Sequence, residues 1–259
     1  MTESVFETST ESFSPTDLTQ FQQTYGLTVQ AANDVGGQEV TTCNTNSFGN
    51  TNGGCYEGNL DIQYIMGMAQ VTTATYYYVS SSDPFNTYLA NLGDMTNPIM
   101  VNSISWGSYE EDYTSSQLDT FNNEAIALAN MGVTIMVSSG DDGVSGSSCQ
   151  CDVSSGSSTL PYAPAGGANY TGEGYFPSFP ATSPYVTAVG ATQGPNFGLP
   201  PIACQSNAGG VITTGGGFSS YYAAPSWQTD AISTFFASTV ADGNSPSSGY
   251  NPLVSRPCC

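Results

Sequence analysis

Short β-rich runs alternate with segments of helical period along much of this chain, and that alternation constrains the fold more than any other feature. Residues 74–79 form a β-rich run, residues 85–92 a short helical pattern, and residues 99–106 a buried strand. Residues 115–131 give the clearest helix. Leu118, Phe121, Ala125 and Leu128 share its apolar stripe, Ser116 is the candidate cap, and Gly132 ends it. Residues 133–137 and 185–189 read as two further short buried strands. Upstream, residues 57–70 read as a helix with Leu60, Tyr64 and Met68 on one stripe. Strand–helix–strand repeats require right-handed crossovers, which build a parallel sheet covered by helices on both faces. The expected fold is α/β. Between residues 138 and 182 the chain is mostly Gly, Ser, Pro and aromatic residues, a long loop region expected to be functional or tied by disulfides.

The charge balance narrows the setting. The 259 residues include 21 acidic side chains, a single basic one, Arg256, and no histidine. Charged residues make up 8%, against roughly 25% in ordinary globular chains. A formal charge of −20 repels phosphate backbones and anionic lipid, which argues against nucleic-acid and membrane partners. Self-repulsion falls as carboxylates protonate toward the isoelectric point near 4.1, the profile of a protein that works in acid. No apolar run approaches transmembrane length, and no basic segment followed by an apolar stretch, as in a signal peptide, follows Met1. Seven cysteines point to an oxidising compartment; Cys43 and Cys55 are placed to close one loop, and Cys149 and Cys151 lie in another, with Cys204 as a candidate distant partner. The C-x-C spacing is wrong for a common zinc site, so no metal is assigned. A sequon at Asn169-Tyr-Thr171 fits a secreted or vesicular protein.

Without histidine, acid–base chemistry falls to carboxylates, tyrosines or thiols. Glu57 and Asp61 stand four apart at the start of a helical pattern, so they share a face. Two like charges that close push one pKa up, and such a pair shares a proton. The same spacing is also that of an acidic first turn favoured by the helix dipole. In an open parallel sheet, ligands lie beyond the carboxyl ends of the strands. Ser103-Ile-Ser-Trp-Gly107 and Val137-Ser-Ser-Gly-Asp-Asp-Gly143 fall at such ends. Asp141 in the second is either a protonated donor to a developing oxyanion or a turn aspartate bonding its own backbone.

Together these segments resemble the sedolisin family of serine-carboxyl peptidases. The resemblance runs from about Ser14 to Asn251. It rests on Glu57-x-x-Leu60-Asp61-x-Gln63-Tyr64, Val101-Asn-Ser-Ile-Ser-Trp-Gly107, Ser139-Gly-Asp-Asp-Gly143, Phe176-Pro-Ser-Phe-Pro-Ala181 with Tyr185-Val-Thr-Ala-Val-Gly190, and Gly215-Gly-Gly-Phe-Ser219. It implies a subtilisin-like parallel sheet and proteolysis of peptides or proteins in acid, as an endopeptidase or a tripeptidyl-peptidase, in a secreted, lysosomal or vacuolar setting. Carried over, Glu57 is the general base, Asp61 orients it and shares its proton, and Asp141 is the oxyanion acid. Ser105, Trp106, Gly107 and Gly140 are expected to line the bound substrate.

The sequence departs from the family pattern after Gly249-Tyr-Asn-Pro252. Family members continue there into an S-G-T-S-A nucleophile motif and a calcium site. Here Leu253-Val-Ser-Arg-Pro-Cys-Cys259 follows, and no Gly-Thr-Ser-Ala occurs anywhere. The expectation is therefore a partial peptidase domain over residues 1–252 with an aberrant tail at 253–259. Such a chain lacks the nucleophilic serine and any cofactor, is inactive as written, and exposes apolar surface around the Glu57 helix. The alternative is a non-catalytic homologue that binds peptides or a partner protease. A glycosidase is disfavoured, because its two carboxylates flank the sugar bond from different elements.

Overall fold

The computed structural model describes residues 2–43, 54–143, 177–194, 198 and 200–237. Cys149, Cys151, the Asn169 sequon and the 253–259 tail lie outside the described residues. The chain forms two compact units. The first comprises residues 1–106 and 120–137, the second residues 107–119 and 138–259.

In chain order the first unit begins with β1 (Thr2–Glu7), α1 (Pro15–Thr24), β2 (Asn33–Val35) and α2 (Tyr56–Met68). It continues through β3 (Thr73–Tyr78), α3 (Pro84–Gly93) and β4 (Val101–Ile104). After the short β5 (Ser108–Tyr109), the chain re-enters it along α4 (Ser115–Asn130) and β6 (Thr134–Ser138). The strands pair in parallel in the order β2-β3-β1-β4-β6. The expected α/β architecture is thus present, with β1 at its centre.

Pleating sorts β1 into two faces. Val5, which pairs with Tyr76, packs with Leu18 of α1 and Ile62 and Met66 of α2. On the opposite face the Phe6 ring stands 5.4 Å from Phe85 and 5.0 Å from Tyr88 of α3. Ser4 is fully buried on that second face, and its hydroxyl bonds Tyr88 and Asn102. Helices therefore cover both faces of the sheet.

Three expectations need correction. The buried face of α2 is Gly58, Ile62 and Met66, while Leu60, Tyr64 and Met68 are 49%, 58% and 86% exposed. A helical period locates a helix, and α2 carries apolar residues around most of its circumference, so the pattern fits two faces. The cap of α4 is Thr114 and not Ser116. Thr114 Oγ1 accepts from the Gln117 amide, and Gln117 Oε1 accepts from the Thr114 amide, a reciprocal capping box. The strand expected at 185–189 forms as β8 (Thr187–Val189), following β7 (Ser178–Phe179), but its residues are exposed. It lines an open cavity where a buried strand would face packed side chains.

The second unit continues with β9 (Thr192–Gln193), paired antiparallel with β10 (Ile202–Ala203), and ends its described part at α5 (Thr229–Ala237). β5 and β7 pair antiparallel. The Ser139 amide donates to the Val189 carbonyl of β8.

Candidate active site

The N-terminus of α2 is fixed from several directions. The Cys43–Cys55 disulfide closes immediately before it. Asn59 accepts from the Ser14 amide and donates to Asp17 of α1. Glu11 accepts from the Gly58 amide, an anion at a helix N-terminus where the dipole favours it. Gly58 is required there: a Cβ would collide with the Ser12 carbonyl and stand 2.6 Å from the Tyr76 hydroxyl.

This seating brings Asp61 over the carboxyl ends of β1 and β4. One oxygen of Asp61, Oδ1, accepts from Ser105 Oγ at 3.2 Å, and its carboxyl is hydrogen-bonded to Glu57. The other oxygen, Oδ2, is buried without a partner. Burial pushes the Asp61 pKa up to about 6. The Ser105 hydrogen bond opposes that shift, the charge of Glu11 adds to it, and the Glu57 hydrogen bond opposes it. Glu57 and Asp61, paired from their spacing, are thus in contact, and Ser105 joins them.

A further carboxyl, absent from the sequence reading, completes the group. Glu7 ends β1 and is fully buried. Its Oε2 accepts from the Trp106 indole N–H at 2.8 Å, so Trp106 is oriented by Glu7. Burial first, then the charge of Asp61, raises the Glu7 pKa well above the ordinary range. The Trp106 hydrogen bond opposes this, and Glu57 and Glu11 reinforce it. Among the described residues there is no basic side chain beside this cluster, and its raised pKa values favour protonated carboxyls. The signal that would have revealed Glu7 is an acid directly after the apolar pair Val5-Phe6, at a strand's carboxyl end.

The remaining predicted residues belong to the second unit. Gly140 has φ +97°, a conformation only glycine adopts without strain. Its carbonyl accepts from the Gly215 amide at 2.7 Å, and the Asp141 carbonyl accepts from the Thr213 amide at 2.8 Å. A Cβ on Gly215 would collide with the Ser139 carbonyl, so the two backbones touch. The Asp141 residue is exposed, and its carboxyl is raised, first by partial burial and then by Asp142. Gly107 lies against Ser178 and Phe179, leaving no space for a side chain. Beside these segments is a cavity of about 550 Å³, lined among others by Ser139, Ser178, Gly190, Phe218 and Trp227. Among the described residues no group of three or more His, Cys, Asp or Glu side chains is arranged to hold a metal ion. No described helix is long and apolar enough to cross a membrane.

No protein-family model matches the chain. Tripeptidyl-peptidase 1 of Bos taurus is 31% identical over 189 residues, covering 71% of this chain and 29% of the relative. The Homo sapiens protein of the same name is 30% identical over the same shares. The chain belongs to the sedolisin family. Its fold agrees: a solved structure of Pseudomonas sedolisin, a serine-carboxyl proteinase complexed with two molecules of pseudo-iodotyrostatin, superposes with a TM-score of 0.54. That match has 24% identity and covers 89% of this chain and 61% of that one. This sedolisin sequence spans under a third of the length of the curated relatives it matches. Its family segments fall on α2, on β4 and the turn after it, on the turn after β6, and on residues 215–219; Phe176 lies outside the described residues.

Proposed function

We propose that this chain carries the acid–base portion of a serine-carboxyl peptidase that acts on peptides or proteins in an acidic secreted, lysosomal or vacuolar compartment. The observation that carries the reading is the hydrogen-bonded Glu57–Asp61 pair, with Asp61 raised to about 6. Below that value the pair keeps a shared proton, and in the arrangement that acts as a base that proton sits on Asp61. Glu57 then stays an acceptor and takes the proton of a serine hydroxyl as that oxygen attacks the peptide carbonyl. Asp141, protonated, donates to the oxyanion that forms. Ser105, Trp106, Gly107 and Gly140 flank the substrate. The serine is the part this sequence lacks: no Gly-Thr-Ser-Ala is present, and the polypeptide as written is expected to show no peptidase turnover at any pH.

The test joins this chain to a family segment bearing S-G-T-S-A. The joined protein should cleave peptides near pH 4 and lose activity toward neutrality. Glu57→Gln or Asp61→Asn should each lower kcat by about 10²–10⁴-fold with a smaller change in KM. A flat profile from pH 4 to 8, or an active Glu57→Gln protein, refutes the assignment. Peptide binding by the unjoined chain, with no turnover after joining, would favour the non-catalytic homologue.

A further inference from the structure

Among the buried polar atoms of the first unit's described residues that have no direct hydrogen-bond partner are Oδ2 of Asp61, Oε1 of Glu7 and the hydroxyl of Tyr76. They come from three different elements, yet the sheet register gathers them. Val5 pairs with Tyr76 and Glu7 with Tyr78, so Tyr76 and Glu7 project from the same face, one step apart. Ser103 pairs with Val5, which sets Ser105, the Asp61 partner, on that face as well. Tyr76 is fully buried, and its hydroxyl stands 2.6 Å from where a Cβ of Gly58 would be, one turn of α2 before Asp61. Buried hydroxyls and carboxyls are almost always hydrogen-bonded, to protein or to an enclosed water.

We propose that one enclosed water bridges Tyr76, Glu7 and Asp61, which makes Tyr76 a positioning residue for the Glu57–Asp61 pair. Each of the three atoms then gains a partner. The Trp106 indole occupies Glu7 Oε2, leaving Oε1 to carry the Glu7 proton. The water accepts from Tyr76 O–H and from protonated Glu7 Oε1, and donates to Asp61 Oδ2. Asp61 then receives Ser105 on one oxygen and the water on the other, which fixes the rotamer that Glu57 meets. The groups facing Asp61 are Glu57 on its own helix, Glu7 of β1, Glu11 in the turn after β1, Tyr76 of β3 and Ser105 after β4. Asp34 of β2 acts on Tyr76. None is a cation, so the Tyr76 hydroxyl is a donor that cannot be exchanged for a neighbouring charge.

The inference concerns the same carboxyl pair as the proposed function, but it is read without activity, so either can fail alone. The experiment follows the Asp61 side-chain carboxyl by carbon NMR through a pH titration of the full chain. Tyr76→Phe removes the hydroxyl and keeps the ring. Losing a donor to the ionised form should raise the Asp61 midpoint by about 0.5–1 pH unit. Tyr77→Phe, on the opposite face of the same strand, should leave it unchanged. An unmoved or lowered midpoint in Tyr76→Phe, with a raised melting temperature, overturns the proposal, because it describes a hydroxyl in a dry pocket. Should Tyr76→Phe not fold, the hydroxyl proton of Tyr76 is followed in the unaltered chain. Its resonance should be slow to exchange and move with the Asp61 titration; fast exchange or an unmoved resonance overturns the proposal.

Discussion

Glu110 accepts from four donors in the second unit, and removing it gives a quantitative test of what holds residues 215–222 in place. It is fully buried in the short 3-10 turn of residues 110–112. Its Oε1 accepts from Ser219 Oγ at 2.5 Å. Its Oε2 accepts from the Ser220 amide at 2.8 Å, Ser220 Oγ at 2.9 Å and the Tyr221 amide at 3.2 Å. A hydrogen bond to a charged group contributes about 1.5–3 kcal/mol, and bonds sharing one acceptor do not add. Glu110→Ala withdraws the common acceptor from four donors and leaves a void, so the expected loss is about 3–5 kcal/mol. Glu110→Gln keeps an oxygen for the Ser220 and Tyr221 donors. Its amide nitrogen, however, faces Ser219 Oγ, which already accepts from the Tyr221 and Tyr222 amides. The loss there should be about 2 kcal/mol. The assay is urea unfolding by tryptophan fluorescence in a Trp106→Phe background, which leaves Trp227 to report the second unit alone. Amide exchange at Ser220 and Tyr221 should accelerate in the same order. Glu110→Ala within 1 kcal/mol of the parent, or Gln as costly as Ala, would refute the reasoning.

Two other perturbations follow from the first site and its surroundings. Asp61 and Glu111 have folded-state pKa values raised to about 6 and about 7, so their stabilising effect is complete below their ordinary values of 3.8 and 4.5. It is lost as pH rises through the raised ones. The melting temperature should fall from pH 4 to pH 7, Asp61 alone accounting for about 3 kcal/mol. Asp61→Asn should flatten the lower part of that curve and Glu111→Gln the upper; stability that rises with pH would contradict both assignments. Gly58→Ala ordinarily gains helix stability, yet here contact with the Ser12 carbonyl and Tyr76 should reverse the sign, costing about 1–3 kcal/mol in a denaturant titration.

What the sequence disclosed and what it hid divide along physical lines. α4 and β6 were legible because each buries apolar residues at a clean period, and β3 and β4 because each is a short β-rich run. β1 was not, although it is the central strand, because Glu3, Ser4 and Glu7 interrupt its apolar character. Ser4 is accommodated by Tyr88 and Asn102, partners no local pattern reveals. α1 carried readable signs, Ser14 as its cap and Pro15 in its first turn, but its apolar stripe is weak. At the site, the Glu57–Asp61 spacing follows from helix geometry. Ser105, Glu7 and Tyr76 meet that pair through strand register, which single-sequence periodicity leaves undetermined. The resemblance supplied Ser105 and Trp106 as substrate-lining residues; that one bonds Asp61 and the other Glu7 came only from the fold.

The central place of β1 also has a consequence for how such a chain emerges from a ribosome. Val5 and Phe6 leave the exit tunnel well before their partners Tyr76, Tyr77, Ser103 and Ile104. At about 5–20 residues per second, the first strand waits roughly 5–20 s before both of its edges can be paired. During that interval a short apolar segment with two open edges is available to any other nascent or unfolded chain. Glu3 and Glu7, which bracket Val5 and Phe6, are charged while the strand waits in neutral solvent. Buried among other carboxyls in the finished sheet, Glu7 instead favours its protonated form. The same acid that burdens the folded core at neutral pH thus keeps the unfolded strand soluble during synthesis.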